Sequence, residues 1–259
     1  MTDTIDLNSD LGESFGDWKM GDDAAMLDIV SSANVACGFH AGDPSVMTRT
    51  VQAAKQRGVR VGAHPGFDDI RGFGRRRMTG LPDSDLRASI IYQVGALSSI
   101  ALSEGIELSH VKLHGALSNM ACENPDMAAL CVEAVQAAKP GITLVAVAAT
   151  ALQSASEQAA YPYVQELFAD RAYADDGNLV SRGRPGAMIH DPEQASDRML
   201  RMLDEQALIS VSGKRIPVNP QTICVHGDSP GAVQMAETLR NRLEQNGISI
   251  RSFIEREST

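Results

Sequence analysis

The chain has 259 residues, a size that suits one large domain, and 43% of them are hydrophobic, enough for a sizeable core. A formal net charge of −10 argues against non-specific nucleic-acid binding and against an anionic membrane as partner. Cys37, Cys122, Cys131 and Cys224 show no C-x-x-C spacing, the polar, acidic N-terminus does not read as a signal peptide, and no apolar run approaches ~18 residues; the expectation is reduced thiols, a cytoplasmic location and no membrane span.

The first predicted strand ends near Leu11 in Ile5–Glu13, IDLNSDLGE. Side chains alternate between the faces of a strand, so Ile5 and Leu7 share one face while Asp6, Asn8 and Asp10 share the other, with Glu13 just beyond. A helix capped by Asp22 is expected to run through Ser31. The second strand is Ala33–Cys37, and Asp43-Pro44 reads as an N-cap followed by proline at the first helical position, opening a helix that runs to Arg57 and stops at Gly58. The third strand, Val59–Ala63, leads into a glycine- and arginine-rich loop, and Asp83 caps the helix after it. The fourth strand is His110–Leu113; Asn124-Pro125 opens a helix that Lys139-Pro140-Gly141 closes. The fifth, Thr143–Val147, is followed by an alanine-rich helix and then by the sixth, Val164–Ala169. A helix from Asp191 to about Gln206, a hairpin over Ile209–Val218, the seventh strand Thr222–His226, a helix starting at Pro230 and a closing strand within Ile248–Ile254 complete the chain.

Repeated βα units with no linker predict a single α/β domain over residues 1–259 with a parallel sheet. No G-x-G-x-x-G follows a strand and no P-loop motif occurs, so a nucleotide-binding fingerprint is lacking within the chain. Polar groups instead gather at strand ends: Asn8 and Asp10; Asn34, His40 and Asp43; His64, Asp68 and Asp69; Lys112 and His114; Glu166, Asp170 and Arg171; His226 and Asp228. Groups spread over so many strand ends suit the mouth of a closed barrel better than the single crevice of an open sheet. A lysine on an inward face needs a carboxylate or an anionic ligand beside it. Two loops, RGFGRRR over residues 71–77 and RGR over 182–184, suit carboxylate or phosphate binding. Cys37 beside His40 is a candidate nucleophile, and Asp10 with His40 and His64 is a candidate metal site, although no H-x-x-x-H spacing accompanies it.

The segments IDLNSDLGESFG, SANVACGFHAGDP, GAHPGFDD with GFGRR, VKLHGALSN, FADRAY with DGNLVSRGRPGA, and VHGD closely resemble the LamB/YcsF lactam-utilisation family. The resemblance implies a distorted seven-stranded β/α barrel, TIM-like and of the glycoside hydrolase/deacetylase type. It implies hydrolytic opening of 5-oxo-L-proline to L-glutamate, coupled to ATP hydrolysis, with partner subunits B and C; the chain that holds ATP, a divalent metal and a homo-oligomer are left open. In this scheme Asp10 or Glu13 positions or deprotonates water. Lys112 stabilises developing charge, and His114 or His40 protonates the ring nitrogen. Arg71, Arg75 or Arg182 holds the substrate carboxylate or phosphate, while Asn8, Asn34, His64 and His226 complete the binding surface. The rival expectations are a metal-dependent amide hydrolase or deacetylase, and a non-catalytic subunit that binds the substrate or holds its partners together.

Overall fold

The structure is a computed structural model, described here over residues 3–227 and 231–254. In chain order its elements are β1 (Thr4–Leu11), α1 (Asp23–Leu27), β2 (Ser32–Ala36), α2 (Pro44–Arg57), β3 (Arg60–His64), α3 (Asp83–Ser103), β4 (His110–Lys112), α4 (Gly115–Glu123), α5 (Pro125–Ala138), β5 (Thr143–Val147), α6 (Ala151–Gln158), β6 (Tyr163–Phe168), α7 (Pro192–Glu205), β7 (Ala207–Ile209), β8 (Arg215–Pro217), β9 (Thr222–Cys224), α8 (Ala232–Gln245) and β10 (Ser249–Ile250). β1 to β6 pair in sequence, β9 follows β6, and β9 pairs back to β1; every one of these ladders is parallel, so seven strands close a barrel. β10 adds to the start of β1, and β7 with β8 forms the expected hairpin outside the barrel.

The helix signals act as their chemistry dictates. Asp43 accepts from the backbone N–H of Ser45 and Val46, and Gly58 closes α2 in the left-handed region at φ 69°. Asn124 caps α5 in the same way. The seventh barrel strand ends at Cys224 rather than His226, the second and third strands are each shifted by one residue, and two helix boundaries differ from expectation. α1 stops at Leu27 because Ser31 is drawn into the sheet, its N–H donating to the Leu7 carbonyl and its hydroxyl to Asp6. α3 begins at Asp83 itself, with Pro82 before it and no side-chain cap; Asp83 and Asp85 sit in the first turn, where the helix dipole favours acids. α3 is long and apolar enough by composition to cross a bilayer, yet it lies along α2 and α5 and buries Leu86, Ile90, Val94, Leu97 and Ala101. The expected start of the last helix at Pro230, and Asp228, lie outside the described residues.

The inside of the barrel is polar. Asp6 accepts from the hydroxyls of Ser31 and Ser32, each at 2.6 Å, and from Thr222. Asn8 donates to Glu166 at 3.0 Å and to Thr222 at 2.7 Å, and Asn34 donates to Asn8 at 2.8 Å. His110 donates from Nε2 to Asn34 at 2.7 Å and accepts from Ser109 at 2.8 Å. Each of these buried groups thus has a partner, the condition under which such an interior is tolerated. Its packing sets one further requirement: a Cβ at Gly62, mid-strand in β3, would overlap the His110 imidazole. Gly62→Ala is therefore expected to destabilise the protein by about 1–3 kcal/mol. A urea midpoint equal to that of the parent would disprove this.

Candidate active site

At the C-terminal ends of the strands lies a cavity of about 350 Å³. Lys112 forms its charged floor. Its Nζ lies 3.0 Å from Asp10 Oδ1, 2.9 Å from Glu166 Oε1, 3.2 Å from Asn8 Oδ1 and 3.0 Å from Cys224 Sγ. Asn34 also donates to Asp10 Oδ1, at 2.9 Å. Burial alone would push Asp10 up and Lys112 down. For Asp10 the adjoining His64 and the Lys112 ammonium reverse this and hold it well below the usual carboxylate range; for Lys112 the Asp10 carboxylate leads in holding it well above the usual ammonium value. Glu166 stays raised, because burial outweighs its share of the same ammonium. The stable state is therefore a charged Lys112–Asp10 pair, with Glu166 the more readily protonated neighbour.

Beside this pair stand three imidazoles and a carboxylate, all buried. His64 Nε2 is 3.2 Å from Asp10 Oδ2 and 3.0 Å from His114 Nδ1. His40 stacks on His114 with centroids 3.7 Å apart, and Glu13 Oε1 lies 3.9 Å from both His40 Nε2 and His114 Nδ1. Across the cavity a second group forms. His226 Nδ1 donates to Asp170 at 2.7 Å, and its Nε2 accepts from Arg182 at 3.3 Å. Burial raises Asp170, but the adjoining His226, which donates to it, and the Arg182 charge outweigh this and hold the carboxyl below its ordinary value. Arg171, 4% exposed, donates to the Val180 carbonyl while its Nε makes no hydrogen bond among the described residues. Burial, with the Arg182 charge, pushes Arg171 down to about 10, so it remains a cation near neutrality.

A family model described as the LamB/YcsF family matches residues 5–258. The chain belongs to the LamB/YcsF family. Among its curated relatives, a protein of Bradyrhizobium diazoefficiens named as the second A component of 5-oxoprolinase is 53% identical over 251 residues, covering 96% of this chain and 98% of the relative. The A component of 5-oxoprolinase from Rhodopseudomonas palustris is 51% identical over 249 residues, again covering 96% and 98%. The crystal structure of a lactam utilization protein from Thermus thermophilus superposes with a TM-score of 0.90 at 43% identity, covering 96% of this chain and 100% of that one.

Within this LamB/YcsF barrel the expected residues fall into three positions. Asp10, Glu13, His64, Arg75, Lys112, His114, Arg182 and His226 line the cavity. Asn8 and Asn34 lie beneath its floor, fully buried, where they orient Asp10 and Lys112, and His40 sits behind His114. Arg71 faces solvent on a 3-10 turn and is not part of the lining, because the turn that begins at Asp69 directs Arg75 over Phe73 and toward the cavity instead. Arg76 and Arg77 are engaged by Asp69 and Glu123. The candidate metal grouping also changes: His40 lies with Glu13, His64 and His114, while Asp10 lies with Cys224 and His226. Cys37 is buried, and burial pushes its thiol up to about 12, which removes it as a nucleophile. His110 and Cys224 belong to the polar interior without standing out in the sequence, although the two-residue period that places Lys112 and His226 inward places them inward as well.

These buried imidazoles make the fold sensitive to acid. Burial holds His40 and His114 well below the ordinary histidine value of 6.5, and burial with the Lys112 charge takes His110 down to about 3. The unfolded chain takes up protons below 6.5 that these folded rings refuse, so their contribution is present above that pH and is lost as pH falls. By pH ~5 His110 alone accounts for a loss of about 2 kcal/mol. Asp6, raised by burial to about 6, acts oppositely: it gains its proton first in the folded state and returns about 1 kcal/mol by pH ~5. Three rings outweigh Asp6 together with the raised Glu166 and Asp23. The urea midpoint measured in chelator-containing buffer is expected to fall steadily from about pH 7.5 to about pH 5, and a constant or rising midpoint would contradict the assignment.

Proposed function

We propose that this chain is a subunit of an ATP-dependent 5-oxoprolinase and that its cavity is where the lactam ring of 5-oxo-L-proline is opened to L-glutamate. The observation that carries the reading is the buried Lys112–Asp10 pair facing Arg75, Arg171 and Arg182 across one cavity. In a chain of net charge −10, this concentration of cations suits a small, doubly anionic molecule. The names of relatives about half identical over nearly the whole chain supply the substrate.

Lactam opening near neutrality is uphill, so the amide needs activation. Phosphorylating its oxygen makes the ring carbonyl carbon electrophilic. In this proposal partner subunits B and C carry out that step with ATP, and this chain accepts the phosphorylated lactam. Arg75, Arg171 and Arg182 hold carboxylate and phosphate. Lys112 stabilises charge on the phosphorylated oxygen. Asp10, held ionised by its neighbours, is too weak a base to act alone and positions the attacking water together with Glu13. His226, aligned by Asp170, takes the water proton and delivers it to the ring nitrogen. That delivery decides the outcome. The tetrahedral adduct must break carbon–nitrogen, giving an acyl phosphate that then hydrolyses; expulsion of phosphate first would return the lactam.

The deciding experiment mixes this chain with candidate B and C subunits and follows glutamate release. Release that needs all three chains and ATP is the expected result. Release by this chain alone without ATP would instead favour an amide hydrolase, and no release from any combination would remove the reading.

A further inference from the structure

We propose that Glu13, His40, His64 and His114 form a binding site for one divalent transition-metal ion of the zinc class. One ligand atom from each lies within 4.8 Å of every other, and the four come from the ends of four successive barrel strands or the loops that follow them.

The argument rests on where the protons are. His64 Nδ1 faces the Lys112 carbonyl at 2.7 Å, and His114 Nε2 faces the Phe73 carbonyl at 2.8 Å. A carbonyl only accepts, so each of those nitrogens carries its ring's proton. The remaining nitrogens, His64 Nε2 and His114 Nδ1, then present lone pairs to each other at 3.0 Å with no hydrogen between neutral rings. His40 is 1% exposed, and among the described residues neither of its nitrogens has a hydrogen-bond partner; its Nε2 lies 3.9 Å from Glu13 Oε1. Buried polar groups left this way destabilise a fold by about 1–3 kcal/mol each, and a single ion placed among them would satisfy His64 Nε2, His114 Nδ1 and one nitrogen of His40.

The surroundings match a metal centre in a second respect. Imidazoles that bind metal are usually oriented by an acceptor on their other nitrogen, and backbone carbonyls play that part for both His64 and His114. Three imidazoles and one carboxylate favour zinc or a neighbouring first-row ion over magnesium or calcium, which take all-oxygen shells. Bonds of about 2.1 Å in a tetrahedron set ligand atoms roughly 3.4 Å apart, close to the separations of 3.0 and 3.9 Å, while the His40 ring must turn out of its stack on His114 for its lone pair to meet the same ion. Glu13, His64 and His114 also line the cavity, which gives the ion a route in.

The competing account is a proton: an imidazolium at His64, donating to both Asp10 and His114. It leaves His40 unsatisfied. The second cluster, Asp10, Cys224 and His226, is the competing location. The test is calorimetric titration of chelator-stripped, dialysed protein with zinc chloride, repeated with cobalt(II) to read its visible absorption, and with melting curves to confirm that each apo-variant is folded. One ion per chain is expected, with a raised melting temperature. Affinity should fall at least about tenfold in both Glu13→Gln and His40→Gln but change little in Cys224→Ser. Glu13→Gln preserves size and shape, so it remains informative if His40→Gln does not fold. Absence of stoichiometric uptake by folded parent protein, uptake indifferent to Glu13→Gln, or uptake abolished by Cys224→Ser would each overturn the proposal.

Discussion

Lys112→Met is expected to lower glutamate formation by the reconstituted enzyme about 100- to 1000-fold and to destabilise the chain itself by about 3–5 kcal/mol. Both effects follow from the same four contacts. The ammonium donates to Asp10, Asn8 and Cys224 and pairs with Glu166, all in the sealed floor of the barrel. Methionine fills most of the volume and removes the charge, so two carboxylates are left facing each other without a cation between them. Glu166, already raised by burial, would take up a proton to relieve the repulsion. The double variant Lys112→Met/Glu166→Gln separates stability from chemistry. Glutamine keeps an acceptor for Asn8 and removes one charge, so much of the urea midpoint should return while activity should not. A folded Lys112→Met protein with activity within about tenfold of the parent would remove Lys112 from the reaction.

The composition of the site can be read from alternation along single strands, whereas its contacts cannot. Asp6, Asn8 and Asp10 share a face because a strand has a period of two, and the same rule places Lys112 inward. Which of these groups touch depends on how far neighbouring strands are staggered, and that is a property of the closed barrel. The ladder sets Asp10 opposite Asn34 and Asn8 opposite Cys224, bringing Cys224 Sγ to Lys112. Strong local caps such as Asp43-Pro44 and Asn124-Pro125 define α2 and α5 closely. α4 has no such mark, because Gly115, at φ 54°, and the lack of a side-chain cap leave no local start signal. It forms because His114 and Ala116 are anchored through backbone bonds to Pro65 and Gly74 of the loop after β3. The same loop decides between Arg71 and Arg75. Three adjacent arginines and a fourth nearby look alike as text; only the turn from Asp69 to Gly74 separates the one over Phe73 from those paired to acids or turned to solvent.

The polar barrel interior also bears on how the site is held. A lysine on a flexible loop would relax away from two acids, whereas Lys112 on β4 is fixed by the ladders to β3 and β5. Asn34 joins three groups at once, donating to Asn8 and Asp10 and accepting from His110. The network thereby connects the floor of the cavity to the base of the barrel, so that changes at fully buried positions such as Asn8 and Asn34 should act through the orientation of Lys112 and Asp10.

His226→Gln should separate ATP turnover from ring opening. Glutamate formation is expected to fall about 100- to 1000-fold, within the range for loss of a general acid–base group, while phosphate release from ATP in the three-chain mixture continues. The reason lies in the two ways the adduct can break down. With a proton on the ring nitrogen, the amine leaves and the ring opens. Without it, phosphate is the better leaving group and 5-oxoproline is restored, so ATP is hydrolysed with no net change in the lactam. His226 is the group best arranged to make this choice, since Asp170 fixes its Nδ1 proton and Nε2 points to Arg182 at the cavity wall. Asp170→Asn should show the same uncoupling in milder form, because asparagine keeps the shape while losing the charge that stabilises the imidazolium. The measurement is the ratio of phosphate to glutamate at saturating 5-oxoproline. A ratio that stays at the parent value while both rates fall together would mean that His226 only binds substrate, and the proton would have to reach the ring nitrogen from another group at the cavity.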